Sequence, residues 1–168
     1  MITVYLAGAI RDDHPEDIEW REEAIRALET NNVLILNPLG GKTYNPTTKE
    51  WLCHGDRATA SMIVKHDFWC IDNANAAIFN FLCLADGYPT IGSLVEFGRA
   101  TARGLLAYSI VPTGFTGHEN GSMFAGLHPF IEQNSAKIFA SVTDCLEFSA
   151  LHFSVMAGYD PHFAGKVT

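Results

Sequence analysis

The sequence predicts a doubly wound α/β fold, in which a parallel sheet carries helices on both faces. Short apolar runs without polar alternation, as at residues 33–36 and 76–82, indicate strands that are buried on both faces. Segments with helical periodicity separate these runs, as in successive β-α-β units. The 168 residues are 48% hydrophobic and 18% charged, which suits one well-packed domain over residues 1–168.

The first half of the chain is expected to hold two strands, two helices and one long connection. Gly8 ends the first strand, and Asn37-Pro38 stops the second. The first helix should bury Ile18, Ile25 and Leu28. The connection is long for an α/β domain, as functional lids often are. The expected segments are a strand at 2–6, a helix at 15–29, a strand at 33–36, the connection at 39–56 and a helix at 59–73.

The second half adds three strands and two helices. A helix that follows Tyr88-Pro89 ends at Gly104, a favourable residue just past a helix C-terminus. Thr143 is expected to cap the start of the last helix. The remaining segments are strands at 76–82, 105–111 and 136–140, a loop or short helix at 115–128, and a helix at 143–156, with the tail after residue 158 unassigned.

Five strands that alternate with helices make the expected sheet flavodoxin-like, and ligands bind such sheets beyond the carboxyl ends of the strands. A formal net charge of −8 argues against sequence-independent binding to duplex DNA. No apolar run reaches membrane-spanning length and the N-terminus lacks the basic region of a signal peptide, so a cytoplasmic location without membrane contact is expected. The four cysteines form no C-x-x-C pair and the seven histidines are scattered, so neither a metal site nor a cofactor is expected.

Glu96 is the residue around which a functional site would be organised. It lies near the start of the helix that follows Tyr88-Pro89, where unpaired N–H groups favour an anion, so it should be ionised at neutral pH. An ionised carboxylate beside a pocket can act as a nucleophile or stabilise positive charge on a sugar ring. The alternative is a solvated helix residue that pairs with Arg99, one turn later.

Three motifs together resemble the nucleoside 2-deoxyribosyltransferase family, which includes related N-glycoside hydrolases of nucleoside 5′-monophosphates. They are Tyr5-Leu-Ala-Gly-Ala-Ile-Arg11, Asp67-Phe-Trp-Cys-Ile71 with Ala74-Asn75, and Gly92-Ser-Leu-Val-Glu96-Phe-Gly98-Arg-Ala100. The resemblance covers about residues 1–111. It implies cleavage of an N-glycosidic bond, by hydrolysis or by transfer to a second base, with Glu96 as the catalytic nucleophile. It also implies that Tyr5 orients this carboxylate, although Tyr5 is equally compatible with a core aromatic.

The resemblance further implies a pocket for a nucleoside or nucleotide. Asn75, the third catalytic candidate beside Glu96 and Tyr5, would hold the base or the sugar. Asn75 and Thr90 stand where the transferases carry aspartates, so two carboxylates are absent. Thr90 and the glycine after it look more like the monophosphate hydrolases, where such residues help to hold the 5′-phosphate. The expected substrate-binding residues are Gly8, Ile10, Arg11, Asp67, Thr90, Gly92 and Ser93.

Several alternatives stay open at this point. Arg11 could form a surface pair with Asp12 or Asp13 instead of binding phosphate, and Asp67 could lie on a solvated helix face. A nucleotide-binding module without catalysis would suit the missing carboxylates, and a glycohydrolase for NAD or another nucleotide cofactor would share the chemistry but need a larger pocket. Family analogy also implies a homo-oligomer with shared sites, in which residues 118–123 are either a donated loop or a surface turn.

Overall fold

A computed structural model describes residues 1–11, 13–29, 32–45, 47–48, 50–53, 56–88, 90–113 and 129–158. The segments discussed above at 115–128 and after residue 158 lie outside this part of the chain. The strands are β1 (Ile2–Gly8), β2 (Val33–Leu36), β3 (Lys42–Asn45), β4 (Glu50–Cys53), β5 (Asp56–Arg57), β6 (Ala76–Asn80), β7 (Leu106–Ile110) and β8 (Lys137–Phe139). The helices are α1 (Glu16–Leu28), α2 (Ala60–Asp72), α3 (Ile91–Ala102), α4 (Pro129–Asn134) and α5 (Val142–Gly158), with a 3-10 helix at Leu82–Asp86.

Five parallel strands form the main sheet in the order β2-β1-β6-β7-β8. This order confirms the doubly wound, flavodoxin-like sheet predicted from the sequence. The chain winds from β1 to β2 on one side and later continues from β6 on the other, so the order reverses between β1 and β6. Every residue of β6 is buried, as its continuous apolar run predicts.

Helices cover both faces of the main sheet and divide the core in two. α1 and α5 pack over one face, on a core that includes Leu6, Ile78 and Tyr108. α2 and α3 pack over the other face, on a core that includes Tyr5 and Phe97. Successive residues of a strand point to opposite faces, so Tyr5 belongs to the α3 side whereas Leu6 does not. No helix in the described ranges is both long and apolar enough to cross a bilayer.

The buried face of α1 differs from the predicted one. Ile18 and Ile25 are only half-buried, although Leu28 is buried as expected. Apolar periodicity misses this face because two of its members are charged and find partners in the interior. The buried residues of α1 are Asp17, Trp20, Arg21, Ala24 and Leu28.

Ser141, rather than Thr143, caps the start of α5. Its Oγ accepts a hydrogen bond from the Asp144 N–H at 3.1 Å and donates to the Asp144 carboxylate at 2.8 Å. The prediction placed the cap two residues late because both hydroxyl residues suit the position and only their backbone geometry separates them.

The connection between β2 and α2 contains a small antiparallel sheet of β3, β4 and β5, which was not predicted. Its strands have only two to four residues, which is too short for apolar alternation to identify them. Lys42, the first residue of β3, reaches α2, where its Nζ lies 3.1 Å from Oδ1 of Asp67. This ion pair ties the small sheet to the helix beside the main sheet.

Candidate active site

A cavity of about 330 Å³ lies at the carboxyl edge of the main sheet, beside the point where strand order reverses. Ligands bind at this place in doubly wound folds, and the volume suits a small molecule. The segments that follow β1, β2 and β6 meet α1, α2 and α3 here. Seven residues predicted to form the site line the cavity, namely Gly8, Ile10, Asp67, Thr90, Gly92, Ser93 and Glu96.

Glu96 lies in the second turn of α3 and is half-buried. Burial raises its pKa to about 7, with the negative charge of Asp67 as the second cause, while Tyr5, Arg21 and Lys42 act in the opposite direction. A pKa of about 7 opposes the expectation that Glu96 is ionised at neutral pH, because part of this carboxyl is then protonated there. The field of a helix terminus fades within its first turn, and here desolvation and a like charge outweigh it.

Glu96 also does not pair with Arg99. The Arg99 guanidinium instead forms two hydrogen bonds with the Asp72 carboxylate, at 2.9 and 2.6 Å, and lies 4.4 Å from the centre of the Phe68 ring. The two helices α2 and α3 bring these side chains together although 27 residues separate them in the sequence. The alternative interpretation of Glu96 as a surface ion-pair residue is thereby removed.

Tyr5 lies in β1 and is fully buried. In the part of the chain that the structure describes, its hydroxyl has no hydrogen bond of ordinary distance and angle. The Glu96 carboxylate nevertheless interacts electrostatically with this hydroxyl. Burial raises the pKa of Tyr5, and the charges of Glu96 and Asp67 raise it further, so the phenol keeps its proton and acts as a donor towards the carboxylate.

Asp67 is the second carboxylate of the cavity. Its side chain is only 12% exposed, and its Oδ1 lies 3.1 Å from Lys42 Nζ and 3.2 Å from His66 Nδ1. It is not on a solvated helix face. Asp72 takes that position instead and pairs with Arg99 and Arg103.

Asn75 lies at the opposite end of the sheet. Its Oδ1 accepts a hydrogen bond from the Thr3 N–H at 2.9 Å, and its own N–H donates to the Thr3 carbonyl at 2.8 Å. The five residues of β6 separate it from the carboxyl edge, a distance of about 16 Å at the usual rise per residue. The prediction that Asn75 holds the base or sugar is therefore wrong, because its amide joins the amino ends of β1 and β6.

Arg11 does not line the Glu96 cavity, and its charge is matched by carboxylates. Its Nε and Nη2 contact Asp17 at 2.7 and 2.9 Å, and its Nη1 contacts Asp86 at 2.8 Å. These contacts raise the pKa of the guanidinium. Arg11 lines two neighbouring cavities instead. Arg11 thus lines a different cavity from Glu96, although Ile10 lines both, and its partners lie beyond its immediate sequence neighbours.

The start of α3 forms one wall of the cavity. Thr90 Oγ1 donates to Ser93 Oγ at 2.8 Å, and both side chains are buried. The first N–H groups of a helix have no partner within it and can bind an anion. A Cβ on Gly92 would meet no atom within 4 Å, so this backbone is open to a ligand. Gly8 differs, because a Cβ there would lie 3.2 Å from both Asn80 and Trp20.

Arg21 also lines the cavity and was missed by sequence reasoning. It is 1% exposed and donates to the carbonyls of Gly8 and Ala9, at 2.8 and 3.2 Å, and of Asp17. Burial lowers its pKa to about 10. The available signal was its spacing from Ala24 and Leu28, which places a charged residue on the buried face of α1.

Solved structures of other proteins match the fold of this chain over most of its length. A conserved protein from Enterococcus faecalis matches with a TM-score of 0.63 and 18% identity, covering 90% of this chain and 99% of that one. The 2-deoxyribosyltransferase from Bacillus psychrosaccharolyticus matches at 0.62 and 16%, covering 90% and 95%. The CMP N-glycosidase BcmB from Clostridium botulinum matches at 0.55 and 17%, covering 89% and 98%. No protein-family model and no curated protein sequence matches the chain. At these identities the comparison establishes a shared fold.

Proposed function

We propose that this protein is an enzyme that cleaves the N-glycosidic bond of a nucleoside or a nucleoside 5′-monophosphate, with Glu96 as the nucleophile. The observation that carries the proposal is the presence of two carboxylates, the half-buried Glu96 and the buried Asp67, in one cavity at the carboxyl edge of the sheet. Pairs of carboxylates perform the cleavage of glycosidic bonds in many enzymes. A CMP N-glycosidase and a 2-deoxyribosyltransferase share the fold, which supports the same class of reaction by analogy.

In the proposed reaction, a Glu96 oxygen bonds to C1′ of the sugar as the bond from C1′ to the base breaks. The bonding electron pair leaves with the base, which takes a proton from the ion pair of Asp67 and Lys42. Tyr5 donates to the Glu96 carboxylate and orients it. Water then attacks C1′, its proton passes to Asp67, and Glu96 is released; a second base in place of water gives transfer. Because Glu96 must be ionised and its pKa is about 7, turnover should fall as the pH is lowered through this value.

A substrate panel tests this function. The protein is incubated with ribo- and deoxyribonucleosides, their 5′-monophosphates and NAD, and the free base is measured by chromatography. Release from nucleosides or monophosphates is the expected result. Thermal stabilisation by these compounds without any release would indicate a binding module instead. Release from NAD alone would indicate a cofactor glycohydrolase, for which a neighbouring cavity of about 600 Å³ that shares Ile10 and Tyr88 offers room.

Asp67→Asn should distinguish protonation of the leaving base from breakage of the bond between C1′ and the base. We expect it to slow cleavage of ordinary purine nucleosides by about 10²- to 10⁴-fold, because the leaving base then lacks its proton donor. A 7-methylguanine nucleoside should be affected much less, because its base is already cationic and leaves without protonation. Initial rates of base release on the two substrates measure the difference.

Asp72→Asn is the matched control for this prediction. It removes a carboxylate from the same helix whose partners, Arg99 and Arg103, lie at the surface. Circular dichroism verifies that the Asp67 variant folds, since Lys42 loses its partner. Equal slowing of both substrates by Asp67→Asn would exclude Asp67 as the proton donor.

Gly92→Ala should weaken binding of a nucleoside 5′-monophosphate without harming the fold. A methyl group there enters open space beside the first N–H groups of α3, where we place the phosphate. We expect KM for the monophosphate to rise about tenfold, while stability is unchanged or higher by up to about 1 kcal/mol, because alanine favours the helix.

Gly98→Ala provides the comparison, because Gly98 lies in the same helix and its Cβ would also meet nothing within 4 Å. This residue does not line the Glu96 cavity. The variant should gain the same helix propensity and keep the wild-type KM. A rise in KM with Gly98→Ala as large as with Gly92→Ala would contradict the placement of the phosphate.

The homo-oligomer inferred from the sequence stays a prediction. α2 and α3 present exposed apolar side chains beside one another, and one of them, Ile91, also lines the cavity. A second copy on this surface would adjoin the site. Light scattering measures the mass in solution, and a monomer at working concentrations would remove the idea of a shared site. The exposed apolar residues are Met62, Val64, Trp69, Ile91, Leu94 and Val95.

A further inference from the structure

Two buried hydrogen-bond donors near Glu96 lack a regular partner among the residues that the structure describes. They are the Tyr5 hydroxyl and the Nε–H of Arg21. Buried polar groups are nearly always hydrogen-bonded, so two unpartnered donors beside one carboxylate require an explanation. Tyr5 and Arg21 belong to different elements, β1 and α1, yet both interact electrostatically with Glu96. Arg21 and Glu96 also line the same cavity, so both donors belong to the surroundings of the carboxylate to which we assign the chemistry.

The Arg21 guanidinium is held rigidly at the floor of the cavity. Its Nη2 donates to the Gly8 carbonyl at 2.8 Å, and its Nη1 donates to the carbonyls of Ala9 and Asp17. The group also lies 4.9 Å from the centre of the Trp20 ring. These contacts use neutral partners and leave Nε as the one guanidinium nitrogen without a hydrogen bond in the described part of the chain. The positive charge is thus fixed in place but not neutralised by them.

Groups from four elements face Glu96. They are Tyr5 from β1, Arg21 from α1, Lys42 from β3, and Asp67 with Cys70 from α2. Lys42 is already paired with Asp67 at 3.1 Å. Arg21 makes no ion pair within the described part of the chain, where its hydrogen-bond partners are backbone carbonyls. Arg21 is therefore the buried positive charge that remains available to Glu96.

We propose that Arg21 is a positioning residue that keeps Glu96 ionised and in place for attack on C1′. Its fixed positive charge offsets the negative charge of the Glu96 carboxylate in the same cavity. Its Nε–H and the Tyr5 hydroxyl are hydrogen-bond donors that favour the ionised form of Glu96. The carbonyl contacts of Arg21 at the same time hold the segment after β1 that forms a cavity wall. This inference rests on the proposed function, in which ionised Glu96 is the nucleophile.

A direct titration of the Glu96 carboxyl tests the inference without requiring turnover. The protein is labelled with ¹³C at glutamate carboxyls, and the Glu96 signal is identified by its loss in Glu96→Gln. We expect Arg21→Met to raise the titration midpoint by about 1 pH unit or more, because the opposing charge is gone. Arg21→Lys should return the midpoint to within about 0.5 unit of wild type, because it keeps the charge.

Arg26→Gln is the matched control, because Arg26 lies on the exposed side of α1 and pairs only loosely with Glu22 at 3.9 Å. It should leave the midpoint unchanged. A folded Arg21→Met protein with the wild-type midpoint would overturn the proposal, and Arg21→Gln replaces it if the methionine variant does not fold. If neither neutral variant folds, Arg21→Lys decides alone, and a midpoint displaced by about 1 unit or more overturns the proposal.

Turnover supplies a second measurement. The acid limb of the pH profile of kcat should shift to higher pH in Arg21→Met, together with the midpoint of the carboxyl titration. In Arg21→Lys this limb should lie at the wild-type pH again. A purely structural role would lower kcat without moving this limb. If the wild-type protein releases no base from any substrate, the proposed function fails, whereas the carboxyl titration still decides the role of Arg21.

Discussion

Glu96→Gln should reduce base release by at least about a thousandfold. The amide keeps the shape of the side chain but cannot form the bond to C1′ or carry the negative charge that the developing positive sugar requires. The assay is best run near pH 8, where most Glu96 carboxyls are ionised because the pKa is about 7. Single-substrate rates of base release, normalised to folded protein, give the measurement.

Glu147→Gln is the appropriate comparison, since Glu147 is exposed on α5, on the other face of the sheet. It should retain full activity. A Glu96→Gln protein that keeps more than about a tenth of wild-type turnover, which corresponds to under about 1.4 kcal/mol of barrier, would remove Glu96 from the role of nucleophile.

The same substitution should stabilise the folded protein at alkaline pH. Burial and Asp67 raise the pKa of Glu96 from 4.5 to about 7, so the folded protein holds this proton more tightly than the unfolded chain does. Stability should therefore fall as the pH rises from about 4.5 through 7, because the unfolded chain loses the proton first. Glutamine has no proton to lose. The gain from Glu96→Gln should be greater at pH 8 than at pH 5 by about 2 to 3 kcal/mol.

Thermal and urea unfolding of both proteins at pH 5 and pH 8 measure this difference. For a chain of this length, 2 to 3 kcal/mol corresponds to a shift in Tm of roughly 4 to 12 °C. An equal gain at both pH values would contradict the raised pKa. A loss of stability at pH 8 would instead indicate that the ionised carboxylate stabilises the fold through its cationic neighbours.

The layout of the sheet could be predicted because its signals are local. Continuous apolar runs identify the strands, and every residue of β6 is buried as such a run predicts. The run at Val33–Leu36 was wrongly expected to be buried on both faces, because β2 lies at the edge of the sheet and only Val33 in it is buried. Much of the cavity follows by the same reasoning. Parallel strands bring their carboxyl ends to one edge, so Gly8 and Ile10 after β1 had to meet Thr90 and Glu96 after β6.

Other features could not be predicted because they depend on partners distant in the sequence. Lys42 meets Asp67 across 25 residues, and Arg11 meets Asp86 across 75. Asn75 was assigned to the site by resemblance, but it lies at the amino end of β6, where its amide bonds Thr3. A motif identifies a residue type and a spacing, whereas the end of the sheet that a side chain serves is set by register and hydrogen bonding.

The sequence by itself determined the five strands of the main sheet and the four helices α1, α2, α3 and α5, and that Glu96 would lie at the carboxyl edge with the start of α3. Only the tertiary structure decided the ionisation of Glu96 and the participation of Arg21. Both depend on desolvation and on the summed field of charges from four elements, and these terms exist only once the chain has packed. Local signals thus determine where a carboxylate is placed, and the packed interior determines its charge.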